Sequence, residues 1–391
     1  MDKLGRREDL HRVVSAAARS WSDLPLDVLR LVASRVPLPD HPHMSLVCKT
    51  WRRSVRQVYP ADRSPVLLHY KRWGSGIFHC YSPLFNKTFV LRCPADLSGT
   101  KICSARDGWL MLRRNSQVIL ANPITGVAHH LALPQHCHYF MYVSFAGPPS
   151  DCTVFAIETF IPESVRISVY RRGSWASPRT YENNCRFKIS PRSNPVYHRG
   201  SFYCLGSKGE LGVYDPEKDT WTVLAKPINF YPAKSSNCGE SFLIESEGEL
   251  LSVLTGKFGR RVRVFRLNEV DMVWEKIESL VGRRRRSLFV RSAMSISSTP
   301  SIDHRMNNKV YFPRVHGEPE IIESEVERSG DRIFFVPKCS SREGDDETRR
   351  RNEGDHGGIC CCDLENRKYS EYFGSNEYLY SIWFEPRLSD D

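Results

Sequence analysis

The sequence predicts a mostly β chain with a small α-helical module near its N-terminal end. Three observations lead there. Residues from Trp21 to about Tyr59 carry apolar side chains at helical spacing. From about Pro65 onward, short aromatic and β-branched runs alternate with Gly, Pro, Asn and Asp, the pattern of strands and turns. Hairpins in that second part end on tryptophans that recur at long, regular intervals.

Within the helical module, Asp23 is placed to cap a first helix. Pro25 falls in its first turn, where a missing N–H is harmless, and Asp27 adds favourable charge there. Leu24, Val28, Leu31, Val32 and Val36 follow at helical spacing, and Pro37 and Pro39 end the run. Asp40 offers a second cap and Pro42 again sits in a first turn. Met44, Val47, Cys48, Trp51, Val55 and Val58 then form the stripe of a second helix, with Arg52, Arg53 and Arg56 off it. About forty residues cannot enclose a sufficient core. Each large aliphatic side chain left in water forgoes about 1.5–3 kcal/mol. The face is therefore expected to be covered, either by the chain's own downstream domain or by another protein.

Residue identities favour the second cover. Leu24-Pro25, Val28-Leu29, Val32, Val36 and then Val47-Cys48-Lys49-x-Trp51-Arg52 resemble the F-box, whose pattern is Leu-Pro, spaced aliphatics and a terminal Val-Cys-Lys-x-Trp-Arg. The resemblance implies binding to a Skp-type adaptor and, through it, to the cullin and RING subunits of a ubiquitin ligase. The adaptor-facing residues it implies are Leu24, Pro25, Val28, Leu29, Val32, Val36, Met44, Val47, Cys48 and Trp51. His41-Pro42-His43 departs from the family, which often has small or acidic residues there, and is expected to loosen the turn between helices.

Downstream, the clearest hairpin is Leu211–Leu224, where Asp215-Pro216 sets the turn and Thr-Trp-Thr-Val fills the return strand. Related hairpins span Phe78–Leu91, Val118–Leu131, Val165–Trp175, Val262–Trp274 and Gly358–Phe373. Trp175 and Trp221 are 46 residues apart, and Trp221 and Trp274 are 53 apart. Repeats of that length predict a β-propeller, here of six four-stranded blades, with seven as the alternative. Tyr378–Phe384 is expected to pair near Val66–Tyr70 and close the ring, which removes exposed edges. Tyr197–Leu224, Phe242–Leu280 and Asn308–Phe312 are similar to plant F-box proteins with a KIB-type β-propeller. The expected domains are an N-terminal extension over 1–20 (at most a short helix), an F-box over 21–60 and a KIB-type propeller over 65–391. The charge-dense run at about 339–358 is expected to be a disordered insert, after a strand at Ile333–Val336.

Composition limits the other readings. The first twenty residues hold no signal-peptide core, and no stretch approaches membrane-spanning length, so a soluble intracellular protein with no membrane contact is expected, in the nucleus, the cytoplasm or both. Thirteen cysteines without repeated spacing argue for reduced thiols. The net charge is +11; residues 1–60 carry eleven Lys/Arg against six Asp/Glu, and the rest is dispersed apart from Arg283, Arg284, Arg285 and Arg286. Dispersed charge disfavours nucleic acid as a partner. The arginine run has three readings: a nuclear-localisation address, a patch for an acidic partner, or a solvated loop.

Chemistry has little foothold. His129, His130, His136, Cys137 and His138 cluster, but only His136-x-His138 would share a strand face, and no metal site or cofactor is expected. Cys360-Cys361-Cys362 alternates faces as small apolar residues. No nucleophile elbow, P-loop or dinucleotide fingerprint is present. The expected function is thus non-catalytic: substrate recognition for a Skp–cullin–F-box ubiquitin ligase, with an unknown protein substrate. The alternative is a propeller interaction protein or propeller enzyme acting outside a ligase.

Overall fold

The computed structural model describes residues 20–56, 64–70, 76–93, 95–114, 117–132, 142–161, 163–182, 187–190, 193–224, 240–255, 262–280, 286–290, 296–298, 306–313, 358–363, 369–374 and 382–387. The chain divides into two compact units, Met1–Asp62 and Arg63–Asp391. The expected extension over 1–20 falls almost wholly outside the described residues. So do the strand at Ile333–Val336 and, up to Gly358, the insert at 339–358.

In the first unit, Ser20 and Asp23 form a capping box around the 3-10 turn Trp21–Asp23, so Asp23 closes that turn and does not cap the first helix. Helix α1 (Leu26–Arg35) begins after Pro25, which supplies no side-chain bond. Leu29 and Ala33, one turn apart, bury themselves with Leu38 and Met44. The single second helix expected from the stripe is two: α2 (His41–Val47) and α3 (Lys49–Arg56). The break lies at Cys48, whose backbone is extended at φ −160° and ψ 176°. A residue so extended cannot carry the helical ladder, and the Nε–H of Arg52 reaches back across the break to the Ser45 carbonyl at 3.0 Å. Helix α3 then packs on both α1 and α2.

His41 corrects a second expectation. Its Nε2 lies 3.1 Å from the carbonyls of both Ala33 and Val36, so the ring secures the last turn of α1. Two acceptors require that Nε2 carry the proton.

The second unit is built of sheets. Blade 1 comprises Val66–Tyr70, Ile77–Ser82 and Lys87–Arg92; blade 2, Lys101–Arg106, Trp109–Arg114, Gln117–Ala121 and Ala128–Ala132. Blade 3 holds Tyr142–Ala146, Thr153–Ile161 and Ser164–Arg171, with an outer strand split into Ser174–Trp175 and Arg179–Glu182. Blade 4 comprises Val196–His198, Ser201–Leu205, Leu211–Asp215 and Thr220–Leu224; blade 5, Glu240–Ser246, Glu249–Thr255, Arg263–Asn268 and Val273–Ile277. All six hairpins read from the sequence are present. Three of their turns repeat one device: the side-chain oxygens of Asn122, Asp215 and Asn268 each accept two N–H groups of the residues that follow.

The sixth sheet departs from the repeat. Ser287–Phe289 pairs in parallel with Lys309–Pro313 and antiparallel with Ile296–Ser298, and Gly358–Asp363 and Tyr369–Gly374 extend it. Parallel neighbours need a crossover, and the chain supplies it by running through Ile296–Ser298, which takes the sheet edge. The described residues thus form five regular antiparallel blades and one irregular five-stranded sheet, in place of six or seven equivalent four-stranded blades.

Ile382–Phe384 returns to pair with blade 1 in the register Val66↔Phe384, Leu67↔Trp383, Leu68↔Ile382. Apolar cores fill the joints between consecutive sheets; Leu67, Tyr81, Phe289, Tyr311 and Trp383 join the sixth sheet to the first blade.

Candidate functional site

The helical unit turns two kinds of apolar residue in opposite directions. Leu29 and Met44, both expected on the adaptor face, are buried. Val28 is 42% exposed, Leu31 59%, Leu46 73% and Val47 56%, beside an exposed Trp21. Pro25 is exposed as well, and Leu24, Val32, Val36, Cys48 and Trp51 are half-buried. The F-box pattern does not include Leu46 among its adaptor-facing residues, and Leu31 enters only through the helical stripe. The signal for both was their hydrophobicity on a unit too small to hide it. The Trp51 indole N–H donates to the Trp21 carbonyl at 3.1 Å, which ties α3 to the start of the module.

Burial lowers the pKa of His41 below the ordinary imidazole value; the Ala33 and Val36 carbonyls and the Asp40 charge offset it only in part. The neutral ring is thus the form that fits its place.

In the propeller, the arginine run separates. Arg283, Arg284 and Arg285 lie outside the described residues, while Arg286 is buried. Its guanidinium donates to the Ser246 hydroxyl at 3.0 Å and pairs with Glu249 at 2.6 Å. Arg286 is therefore an internal tie between blade 5 and the sixth sheet and belongs to no exposed patch.

A cavity of about 130 Å³ is lined by inner-strand residues and their loops, among them Ser104, Ser144, Asn194 and Glu245. Two of its three carboxylates are matched by cations: Arg387 reaches Asp107 at 2.8 Å and Glu385 at 2.9 Å, and Arg106 reaches Asp107 at 3.1 Å, while Glu245 accepts the Gly248 N–H at 2.9 Å. Gly108, at φ +83°, lets the backbone of Arg387 lie against the blade 2 turn, where any Cβ would collide with it.

His129 is half-buried and meets Trp109 edge-on at 5.5 Å, while His130 on the same strand is exposed. His136, Cys137 and His138 lie outside the described residues, and among those described no three metal-ligating side chains gather. Burial pushes the thiols of Cys103 and Cys152 up to about 11, so both stay protonated near neutrality. The side chains of Cys360–Cys362 are not described. Among the described residues no helix is long and apolar enough to cross a membrane.

A second cavity, of about 290 Å³, lies where blade 3 meets the blade 4 hairpin. There Asp219 accepts the hydroxyls of Tyr181 and Tyr214, each at 2.8 Å, and pairs with Arg179. Burial and the Asp219 carboxylate push Tyr181 up to about 12 and Tyr214 higher still, so both remain donors. Burial opposes ionisation of Asp219, but the two hydroxyls and Arg179 together hold it below the usual carboxylate range.

Comparison with known proteins agrees with both units. The F-box domain model matches residues 21–61 and the KIB1-4 beta-propeller model matches residues 78–352. An F-box/kelch-repeat protein of Arabidopsis thaliana is 29% identical over 301 residues, 75% of this chain and 83% of its own. A second F-box/kelch-repeat protein of that plant is 30% identical over 275 residues, 65% of this chain and 70% of its own. An Arabidopsis F-box protein is 27% identical over 273 residues, covering 68% and 71%. The chain belongs to the plant F-box proteins that carry a KIB-type β-propeller.

Proposed function

We propose that this protein is the substrate-recognition subunit of a Skp–cullin–F-box ubiquitin ligase. The observation that carries the reading is the apolar surface the helical unit exposes: Val28, Leu31, Leu46 and Val47 stand in water while Leu29, Ala33, Leu38 and Met44 are buried. Such a surface is suited to a second protein, and the F-box pattern makes that partner a Skp-type adaptor.

The mechanism is proximity. The helical unit holds the chain to adaptor, cullin and RING subunits, and the propeller holds a target protein. The target's lysines then meet charged ubiquitin-conjugating enzyme at high effective concentration. No side chain of this protein need react, and no cofactor takes part. The unpaired thiols of Cys48, Cys80, Cys93, Cys103, Cys152 and Cys204 suit a reducing compartment, the cytoplasm or the nucleus. Arg283, Arg284 and Arg285, without Arg286, are the residues left for a nuclear address or an acidic-partner patch.

Reconstitution tests the reading. The full chain mixed with a plant Skp-type adaptor, cullin and RING subunit should elute as one complex on size exclusion. Separate elution would place the protein outside such a ligase. Proximity labelling with an adaptor-blind variant should then enrich targets that the intact ligase removes.

A further inference from the structure

We propose that Ser177 is a phosphorylation site for a proline-directed protein kinase, and that Arg171 and Arg179 hold the phosphate it acquires. Four serines among the described residues stand directly before a proline: Ser64, Ser82, Ser177 and Ser190. Ser64, Ser82 and Ser190 are buried, and Ser177 is exposed. A kinase of this class reads an extended Ser-Pro dipeptide at the surface, so of these four only Ser177 is presented to it.

The local backbone suits that recognition. The split in the outer strand of blade 3 leaves Ser177 and Pro178 outside both pieces that pair with Ser164–Arg171, just after the Ala176 N–H bonds the Val169 carbonyl at 2.9 Å. Pro178 biases Ser177 toward the extended region. Residues two apart in an extended chain project to the same side, so Ser177 and Arg179 share one. Ser177, Arg171 and Arg179 all line the cavity of about 290 Å³.

Both guanidiniums are already engaged with the blade 4 hairpin. Arg171 donates to the Pro216 carbonyl at 2.6 Å and pairs with Glu217, and Arg179 pairs with Asp219. A phosphoserine brings about −1.5 to −2 charges and three strong acceptor oxygens. It competes with those carboxylates for the same donors. Modification therefore loosens the ties between blades 3 and 4 at this rim. In the transfer, Ser177 Oγ bonds to the γ-phosphorus of ATP, the P–O bond to ADP breaks, the hydroxyl proton passes to the kinase's base, and ADP leaves.

The test treats the folded full chain with ATP and a purified proline-directed kinase and maps the label by mass spectrometry. Label is expected on Ser177, lost in Ser177→Ala, strongly reduced in Pro178→Ala and retained in Ser177→Thr. Ser190, in the same Ser-Pro-Arg sequence, should take label only after heat denaturation. Phosphorus NMR of the modified chain should show a phosphate midpoint below its ordinary value of about 6, moving back up in an Arg171→Gln, Arg179→Gln variant whose melting curve shows it folded. Absence of label on Ser177 in the folded chain, or a midpoint that the two substitutions leave in place, would overturn the proposal.

Discussion

Trp383 lies directly opposite Leu67 across the seam where the late strand Ile382–Phe384 meets the first blade. Its indole N–H also donates to the carbonyl of Val290 beside the sixth sheet, at 3.3 Å. One side chain thus fastens both sides of the joint. Trp383→Ala should cost about 3–5 kcal/mol of propeller stability, read as a lower midpoint in urea unfolding. Trp383→Phe keeps most of the packing and gives up the hydrogen bond, so its cost should be nearer 1 kcal/mol.

Arg286 should behave as a buried anchor. Removing it leaves the Ser246 carbonyl and hydroxyl without their donor and Glu249 with Arg266 alone, at 3.5 Å. Arg286→Ala is expected to cost about 1–3 kcal/mol, the penalty of leaving buried Ser246 acceptors unsatisfied, with Arg286→Lys recovering only part because a point charge cannot fork between two sites. A thermal shift that is unchanged in Arg286→Ala would return the residue to a solvated run.

His41 makes the helical unit sensitive to acid. Its pKa is lower in the folded chain than in the unfolded one, so the unfolded chain binds the proton more readily. The stability it contributes is complete above the unfolded value, about 6.5, and is lost as pH falls through the lowered folded value. Unfolding of this unit should therefore become easier below about pH 6.5, and a His41→Gln variant should lose much of that slope. The check is a series of melts between neutral and mildly acidic pH.

How much of this was legible in the sequence follows from how local each cause is. The outer hairpins were readable because their turns are written locally: Asn122, Asp215 and Asn268 bond the residues just after them. The ring-closing strand was readable because edges must be paired. The sixth sheet was hidden because its parallel pair, Leu288 with Val310, depends on a crossover and not on a turn. Cys48 broke the second helix where the apolar stripe runs on without interruption, so periodicity gave no sign of it. At the site, helical spacing marked the apolar residues but not their direction. Leu29 and Met44 went inward, Leu31 and Leu46 outward, and only tertiary packing decides between them. Arg286 read as part of a charged run because its partner, Glu249, is distant in sequence.

The central claim is that the exposed residues of the helical unit bind a Skp-type adaptor while its buried ones only hold the fold. The most direct measurement is calorimetric binding of a plant Skp-type adaptor to the full chain and to a Val28→Asp, Leu46→Asp variant, with melting curves for both. The account predicts binding by the unaltered chain, no measurable binding by the variant, and the same melting temperature for the two. An unaltered chain that fails to bind, or a folded variant that binds equally well, would contradict it.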